Sequence, residues 1–255
     1  MRSDNDIILS TDHLVKTYRG ATSPAVDGVT LSVGKGSIFG LLGPNGAGKT
    51  TTISILCTLL QPSAGKATLL GHDVVRDAAA VRGKIGLVPQ DIALYGSLTA
   101  RENLYYFARM LRVPKSLIES RINESLQLVE LTECADQRVS TFSGGMKRRC
   151  NLAVAILHHP EILFLDEPTV GIDTQSRNLI LERLTELKQQ GMTLVYTTHY
   201  MEEAQQICDD VVIIDGGRVI ASGEPRQLVA EAGGCDNLEE LFLVLTGKQL
   251  RDRTE

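Results

Sequence analysis

Short runs of Ile, Val and Leu alternate along this chain with stretches whose apolar residues recur every three or four positions, and that alternation lays out the elements. Ser37–Gly43 (SIFGLLG), Lys84–Gln90 (KIGLVPQ), Glu161–Pro168 (EILFLDEP), Met192–His199 (MTLVYTTH) and Asp210–Gly223 (DVVIIDGGRVIASG) are bounded by Gly, Pro or Asp and read as buried strands. From Asp91 to Thr141 the strands stop. There LTARENLYYFARMLRV and KSLIESRINESLQLVEL carry helical spacing, which predicts a mostly helical insertion of about 50 residues. The start has another texture: within Ile7–Val33, IILSTDHLVKTY and AVDGVTLSV look like short antiparallel strands around a Gly-containing loop. After Pro225, RQLVAEAGG predicts a short helix with a Gly stop. A second amphipathic stretch follows, with Leu238, Leu241, Phe242 and Leu245 at i, i+3, i+4 and i+7, and the charged last residues are expected to fray.

Composition narrows the class. A chain of 255 residues has room for one full-sized domain, or one domain with an insertion, and its 43% hydrophobic and 22% charged residues are those of an ordinary globular protein. The net charge of -5 argues against a surface that grips nucleic acid throughout, because such binding needs many phosphate-neutralising cations. Cys57, Cys134, Cys150, Cys208 and Cys235 form no C-x-x-C pair, so neither a zinc site nor a disulfide framework is expected, and a reducing cytosol fits. The opening MRSDNDIILS lacks the basic and then apolar runs of a signal peptide, and no apolar stretch approaches the length of a bilayer span.

Candidate chemistry gathers at the ends of the predicted strands. GPNGAGKTT, that is Gly43, Pro44, Asn45, Gly46, Ala47, Gly48, Lys49, Thr50 and Thr51, satisfies G-x-x-x-x-G-K-S/T between a strand and the helical TISILCTLL. Its glycines let backbone N–H groups turn inward around a phosphate, Lys49 reaches the β- and γ-phosphates, and the Thr50 hydroxyl is a ligand for Mg²⁺. LFLDEP then ends a strand on two adjacent carboxylates, an arrangement that repels and is costly to bury without a task. Asp166 is assigned to Mg²⁺, and Glu167 to orienting and deprotonating the water that attacks the γ-phosphate. Gln90 and His199 close two other strands, at the carboxyl edge where an open parallel sheet meets its ligand. There Gln90 can touch Mg²⁺ or the lytic water and His199 the γ-phosphate; a lone Gln or His is more often a satisfied polar group, and the strand-end position shifts the reading toward the site.

The segment STFSGGMKRRC opens another helix, with Ser143 where an N-cap belongs and Gly144 and Gly145 leaving N–H groups unshielded for an anion. The first glycine loop already surrounds one side of a triphosphate, so this second anion site is expected to face a second copy and close over the ATP at that copy's Lys49. Lys147, Arg148 and Arg149 sit where cations oppose the helix dipole, and are expected to be solvated or paired with acidic neighbours.

These segments in this order, GPNGAGKTT, Gln90, SGGMKRR, LFLDEPTVGID and TTHYMEEA, resemble the nucleotide-binding subunit of an ABC transporter over essentially the whole chain. The resemblance implies an α/β fold: a P-loop NTPase (RecA-like) core with a parallel sheet, an N-terminal antiparallel β subdomain and an inserted helical subdomain. It places the ATP-binding domain at residues 7–238, its helical part at about 91–160, and a helical tail at 239–255. It also implies that Tyr18 of VKTY stacks on adenine, that Asp173 of GID couples two ATP sites, and that ATP and Mg²⁺ are the cofactors. The implied partners are a second ATPase subunit, identical or paired, and separate membrane permeases gripped by the helical insertion; no nucleic acid is expected. The implied location is the cytoplasmic face of the membrane. FSGGMKRR, TTHYMEEA and the tail are similar to the export branch, which moves drugs, nodulation factors and lipids. Phe142 and Met146 depart from the usual Leu-Ser-Gly-Gly-Gln, and Met146 removes the side-chain amide of the last place. The competing expectations are a soluble ABC ATPase acting on nucleic acid or ribosomes, a small-substrate P-loop kinase, and a non-hydrolysing regulatory module.

Overall fold

A computed structural model describes residues 6–247. The early pattern becomes β1 (Ile7–Lys16) and β2 (Val26–Gly34), paired antiparallel; β4 (Ala64–Leu69) and β5 (His72–Asp73) extend them into a sheet ordered β2-β1-β4-β5. The last two strands have no signal in the pattern, because β4 reads AGKATL and buries only Ala67 and Leu69.

The five apolar runs build a second sheet, ordered β10-β9-β3-β8-β7-β6, from β3 (Ile38–Leu42), β6 (Ile85–Val88), β7 (Ile162–Asp166), β8 (Thr193–Thr198) and the hairpin β9 (Asp210–Asp215) and β10 (Arg218–Gly223). All neighbours are parallel except β9 and β10. Successive side chains of a strand point to opposite faces, and here both faces are covered. In β7, Leu163 and Leu165 enter the core on one side of the sheet, Ile162 and Phe164 the core on the other. That explains why these strands are unbroken apolar runs rather than alternating ones. The exception is β10, expected to be buried but without a fully buried residue, because it is an edge strand with a neighbour on one side alone.

α1 (Lys49–Leu56) lies in the core that includes residues of both sheets, and α2 (Ala78–Arg82) leads into β6. On the other face of the parallel sheet, α3 (Ala100–Met110), α4 (Ile118–Leu128), α5 (Gly144–Ile156) and α6 (Thr174–Gln189) share one core with β6, β7 and β8. α3 starts on a capping box: Glu102 N–H donates to Thr99 Oγ1 at 3.1 Å, and Thr99 N–H to Glu102 Oε2 at 2.8 Å. α7 (Met201–Ile207), α8 (Pro225–Ala232) and α9 (Leu238–Thr246) pack over β3 and β9 near the β10 edge. Leu238, Leu241 and Phe242 are buried there as the periodicity predicts, whereas Leu245 is exposed. The expected fraying, and the predicted tail past position 247, lie outside the described residues. Among the described residues no helix is long and apolar enough to cross a membrane.

The carboxyl ends of β3, β6, β7 and β8 come out side by side, with Leu42 beside Thr198, Asp166 beside Thr197, and Val88 beside Leu165. Their spacing depends on α5 packing tightly on β6. A Cβ at Gly86 would lie 2.4 Å from the Ala155 carbonyl oxygen of α5 and 2.9 Å from Leu163 Cδ1. Gly86→Ala is therefore expected to cost about 1–3 kcal/mol by overpacking, read from urea midpoints. Gly83→Ala, whose Cβ meets nothing nearer than 3.8 Å, is the control that leaves the midpoint within error.

Candidate active site

The glycine loop leaves β3 and enters α1. Gly43 and Gly48 have φ of 153° and 103°, and a Cβ on either would lie within 2.3 Å of a backbone oxygen, of Ile214 and Ala25 respectively. Only glycine fits both the turn and the approach. Lys49 is buried and donates from Nζ to the carbonyls of Gly43 at 2.7 Å and Pro44 at 3.2 Å. Its third partner is Glu167 Oε1 at 3.0 Å.

β7 delivers the acidic pair. Thr197, from the adjacent β8, donates to Asp166 Oδ1 at 2.8 Å and accepts from the Glu167 N–H at 2.9 Å, so one hydroxyl orients both residues. Glu167 has φ 48°, in the left-handed region, where a non-glycine residue costs about 1–3 kcal/mol and persists only if its surroundings hold it. This backbone turn brings its carboxylate to Lys49 and to His199 Nδ1, 3.4 Å away, while Gln90 Nε2 lies 3.5 Å from Oε2. Asp166 instead meets the Thr50 hydroxyl at 3.3 Å.

The two neighbouring carboxyls are thereby driven apart. Burial pushes Glu167 up, but hydrogen bonds from His199 and Lys49 and the Lys49 charge outweigh it and hold the group down at about 2. For Asp166 burial wins over the hydrogen bonds from Thr197 and Thr50, and its carboxyl is raised. Environments that separate two carboxyls in this way assign them different tasks.

Tyr18 is half exposed at the rim, its hydroxyl 3.2 Å from Thr51 Oγ1. The glycine loop, Tyr18, Gln90, Asp166, Glu167 and His199 are thus brought together. Ser143, Gly144, Gly145 and Asp173 form a second group. Ser143 Oγ accepts from Met146 N–H at 3.2 Å and caps α5. Asp173 caps α6, accepting from the N–H and hydroxyl of Ser176, both at 2.8 Å. The two helix starts touch closely enough that a Cβ on Gly145 would lie 2.0 Å from Ser176 Oγ.

Three residues depart from the sequence pattern. Thr197 is one more Thr in an apolar run, recognisable only through its neighbour strand. Arg148, expected to be solvated or ion-paired, is buried and donates to the carbonyls of Pro89, Gln90 and Val170, tying the Ser-Gly-Gly helix to the Gln90 loop and to the segment after Glu167. Arg149 likewise holds the carbonyls of Val129 and Glu130 rather than a carboxylate. A cation set against its own helix dipole was the available signal for both. A cavity of about 670 Å³ lined by Lys35, Glu161, Arg183 and neighbours lies before the amino ends of β7 and β8, and none of the predicted site residues lines it.

A glycine loop opening onto paired carboxylates at the carboxyl edge of a parallel sheet is the apparatus of a nucleoside-triphosphate-hydrolysing P-loop protein. Residues 26–170 match the model of the ABC transporter family, and the chain belongs to that family. It is 46% identical to the linearmycin resistance ATP-binding protein LnrL of Bacillus subtilis over 93% of this chain and 78% of the relative. It is 44% identical to the Nod factor export ATP-binding protein I of Ralstonia nicotianae over 91% of this chain and 72% of the relative. Among solved structures, a dimeric ATP-binding cassette in a post-hydrolysis state bound to ADP and Pi superposes with a TM-score of 0.77 at 26% identity, covering 85% of this chain and 98% of its own. The protein is an ATP-binding ABC subunit and its activity is ATP hydrolysis.

A carboxyl whose folded value is depressed stabilises the fold above its unfolded value and loses that contribution as pH falls through the folded one. The stability advantage of the parent over Glu167→Gln should thus be present at neutral pH and close between 4.5 and about 2, measured as urea midpoints against pH. An advantage that stays constant through that window contradicts the ion pairing.

Proposed function

We propose that this chain powers export of a drug-, lipid- or polysaccharide-like substrate through separate membrane subunits, with two copies or two paired ATPase subunits closing around two ATP molecules. The convergence of Lys49, Glu167 and His199 on one buried point carries the hydrolytic part of this reading. The relatives that serve linearmycin resistance and Nod factor export, by their names, support the direction of transport. Residues 7–238 form the ATP-binding domain with its helical part at about 91–160, and 239–255 form the tail.

In the reaction, the N–H groups of Gly46, Gly48, Lys49, Thr50 and Thr51 at the start of α1 receive the phosphates, the Ala47 N–H being held by the Pro44 carbonyl, and Lys49 offsets the charge that develops on them. Tyr18 lies at the rim, where its ring can stack on adenine. Glu167, ionised at neutral pH, accepts the proton of the attacking water. His199 hydrogen-bonds the γ-phosphate and Gln90 orients the water. The Thr50 hydroxyl and the Asp166 carboxylate, two hard oxygens 3.3 Å apart, fit Mg²⁺ and with Gln90 would hold it. Bound there, the ion would draw negative charge off the transferring phosphoryl group. Ser143, Gly144 and Gly145 at the start of α5 meet the γ-phosphate held by the other copy, and Asp173, packed on them, links the two sites.

Tyr95, Tyr105, Tyr106, Met110 and Leu111 are exposed on and beside α3, an aromatic and apolar patch on the helical insertion that suits a membrane subunit. Docking there keeps the chain peripheral at the cytoplasmic face.

Glu167→Gln should lower turnover by about 10²- to 10⁴-fold, the usual share of a general base, while ATP still binds and a dimer accumulates on gel filtration. Lys49→Ala should abolish ATP binding, measured by fluorescent nucleotide titration. Unchanged turnover in the first variant, or normal binding in the second, contradicts the assignment.

A further inference from the structure

On the side of β8 away from Asp166, a buried carboxylate joins parts of the site that no single strand connects. The strand alternates: Thr197 turns toward Asp166 and Glu167, and Tyr196 and Thr198 turn toward Glu203 of α7, which is 4% exposed. Glu203 Oε2 accepts three hydroxyls, from Tyr196 at 2.5 Å, Thr169 at 2.8 Å and Thr198 at 3.2 Å. Its other oxygen lies 3.4 Å from Arg177 Nε. Thr198 Oγ1 in turn accepts the Tyr200 N–H at 2.9 Å; the Arg177 guanidinium lies 5.1 Å over the Tyr200 ring, and that ring is 4.2 Å from the ring of His199.

Each partner stands one step from a group assigned to the reaction. Thr169 follows Glu167 by two residues, Thr198 precedes His199, and Arg177 is in the first turn of α6, whose cap is Asp173. An apolar side chain would fill the same volume at lower cost, since burying a carboxylate is unfavourable unless it is fully paired. What the carboxylate adds is direction: three donors on one oxygen, from β8 and Thr169, and Arg177 of α6 at the other allow a single arrangement of three segments.

We propose that Glu203 is a positioning residue for ATP hydrolysis, holding the segment after Glu167, the turn that carries His199 and the start of α6 in one geometry. It acts through these groups and lies behind them, so it sets the rate of the bound complex and leaves ATP affinity alone. The proposal rests on the assignment of Glu167 and His199 given above.

The test compares kcat and KM for ATP in the full chain carrying Glu203→Gln, Glu203→Ala or His199→Ala, with thermal melts showing which variants are folded at the assay temperature. Glu203→Gln keeps an oxygen for the hydroxyls but turns an amide toward Arg177, and is the variant expected to stay folded. It should lose about tenfold in kcat, and Glu203→Ala about 100-fold, with KM within about twofold of the parent, as a misplaced reacting group requires. A folded Glu203→Gln with parental kcat, or a loss that appears only in KM, overturns the proposal when His199→Ala has lost its activity. Parental activity in His199→Ala overturns the underlying assignment, and this inference with it.

Discussion

The contact between Lys49 and Glu167 is the constraint around which the rest is arranged. Both side chains are almost wholly buried, and charges taken out of water are repaid only if every remaining donor and lone pair finds a partner. Lys49 therefore takes two carbonyls of the glycine loop, and Glu167 takes His199 and Gln90. The pair also demands a left-handed backbone at Glu167, which Thr197 holds through the amide. Breaking such a pair is costly, but intact it need stabilise the fold no more than well-packed apolar residues would. What it does hold is an ionised carboxylate between Lys49 and His199, which is the geometry the proposed general base requires.

The parallel sheet makes that arrangement possible. Four adjacent strands end at the same level, so the glycine loop, Gln90, the acidic pair and His199 emerge within reach of one another without long connecting loops. Close packing on both faces fixes the level of each strand: Gly86 admits α5 against β6, and the shared core holds α5 and α6 over β7 and β8. Arg148 carries the order outward, from the Ser-Gly-Gly helix to the backbone of Gln90 and Val170.

Much of this was legible in the chain. The apolar runs mark β3, β6, β7, β8 and β9 because those strands are buried on both faces, and the glycine loop announces itself because its backbone shape excludes other residues. Ser143 as a cap was legible for a similar local reason, a hydroxyl just before a helical pattern. The elements that were missed depend on partners distant in sequence. β4 is a strand because β1 lies beside it, and Thr197 orients the acidic pair because β7 is its neighbour. Arg148 reaches backbone 22 to 59 residues away, which no local pattern encodes. The roles proposed for Tyr18 and Asp173 rest on family resemblance, and the fold places these residues beside Thr51 and against Gly145.

The group around Ser143 and Asp173 is built as firmly as the group around Lys49, yet it is assembled from other loops. That division is the reason to regard one chain as two halves of different sites, each completed by a partner. ATP turnover per chain, measured over a range of chain concentrations alongside light scattering, tests this most directly. Turnover per chain should rise with concentration and level off as the ATP-bound dimer forms. Constant turnover per chain down to concentrations at which every molecule scatters as a monomer would contradict it.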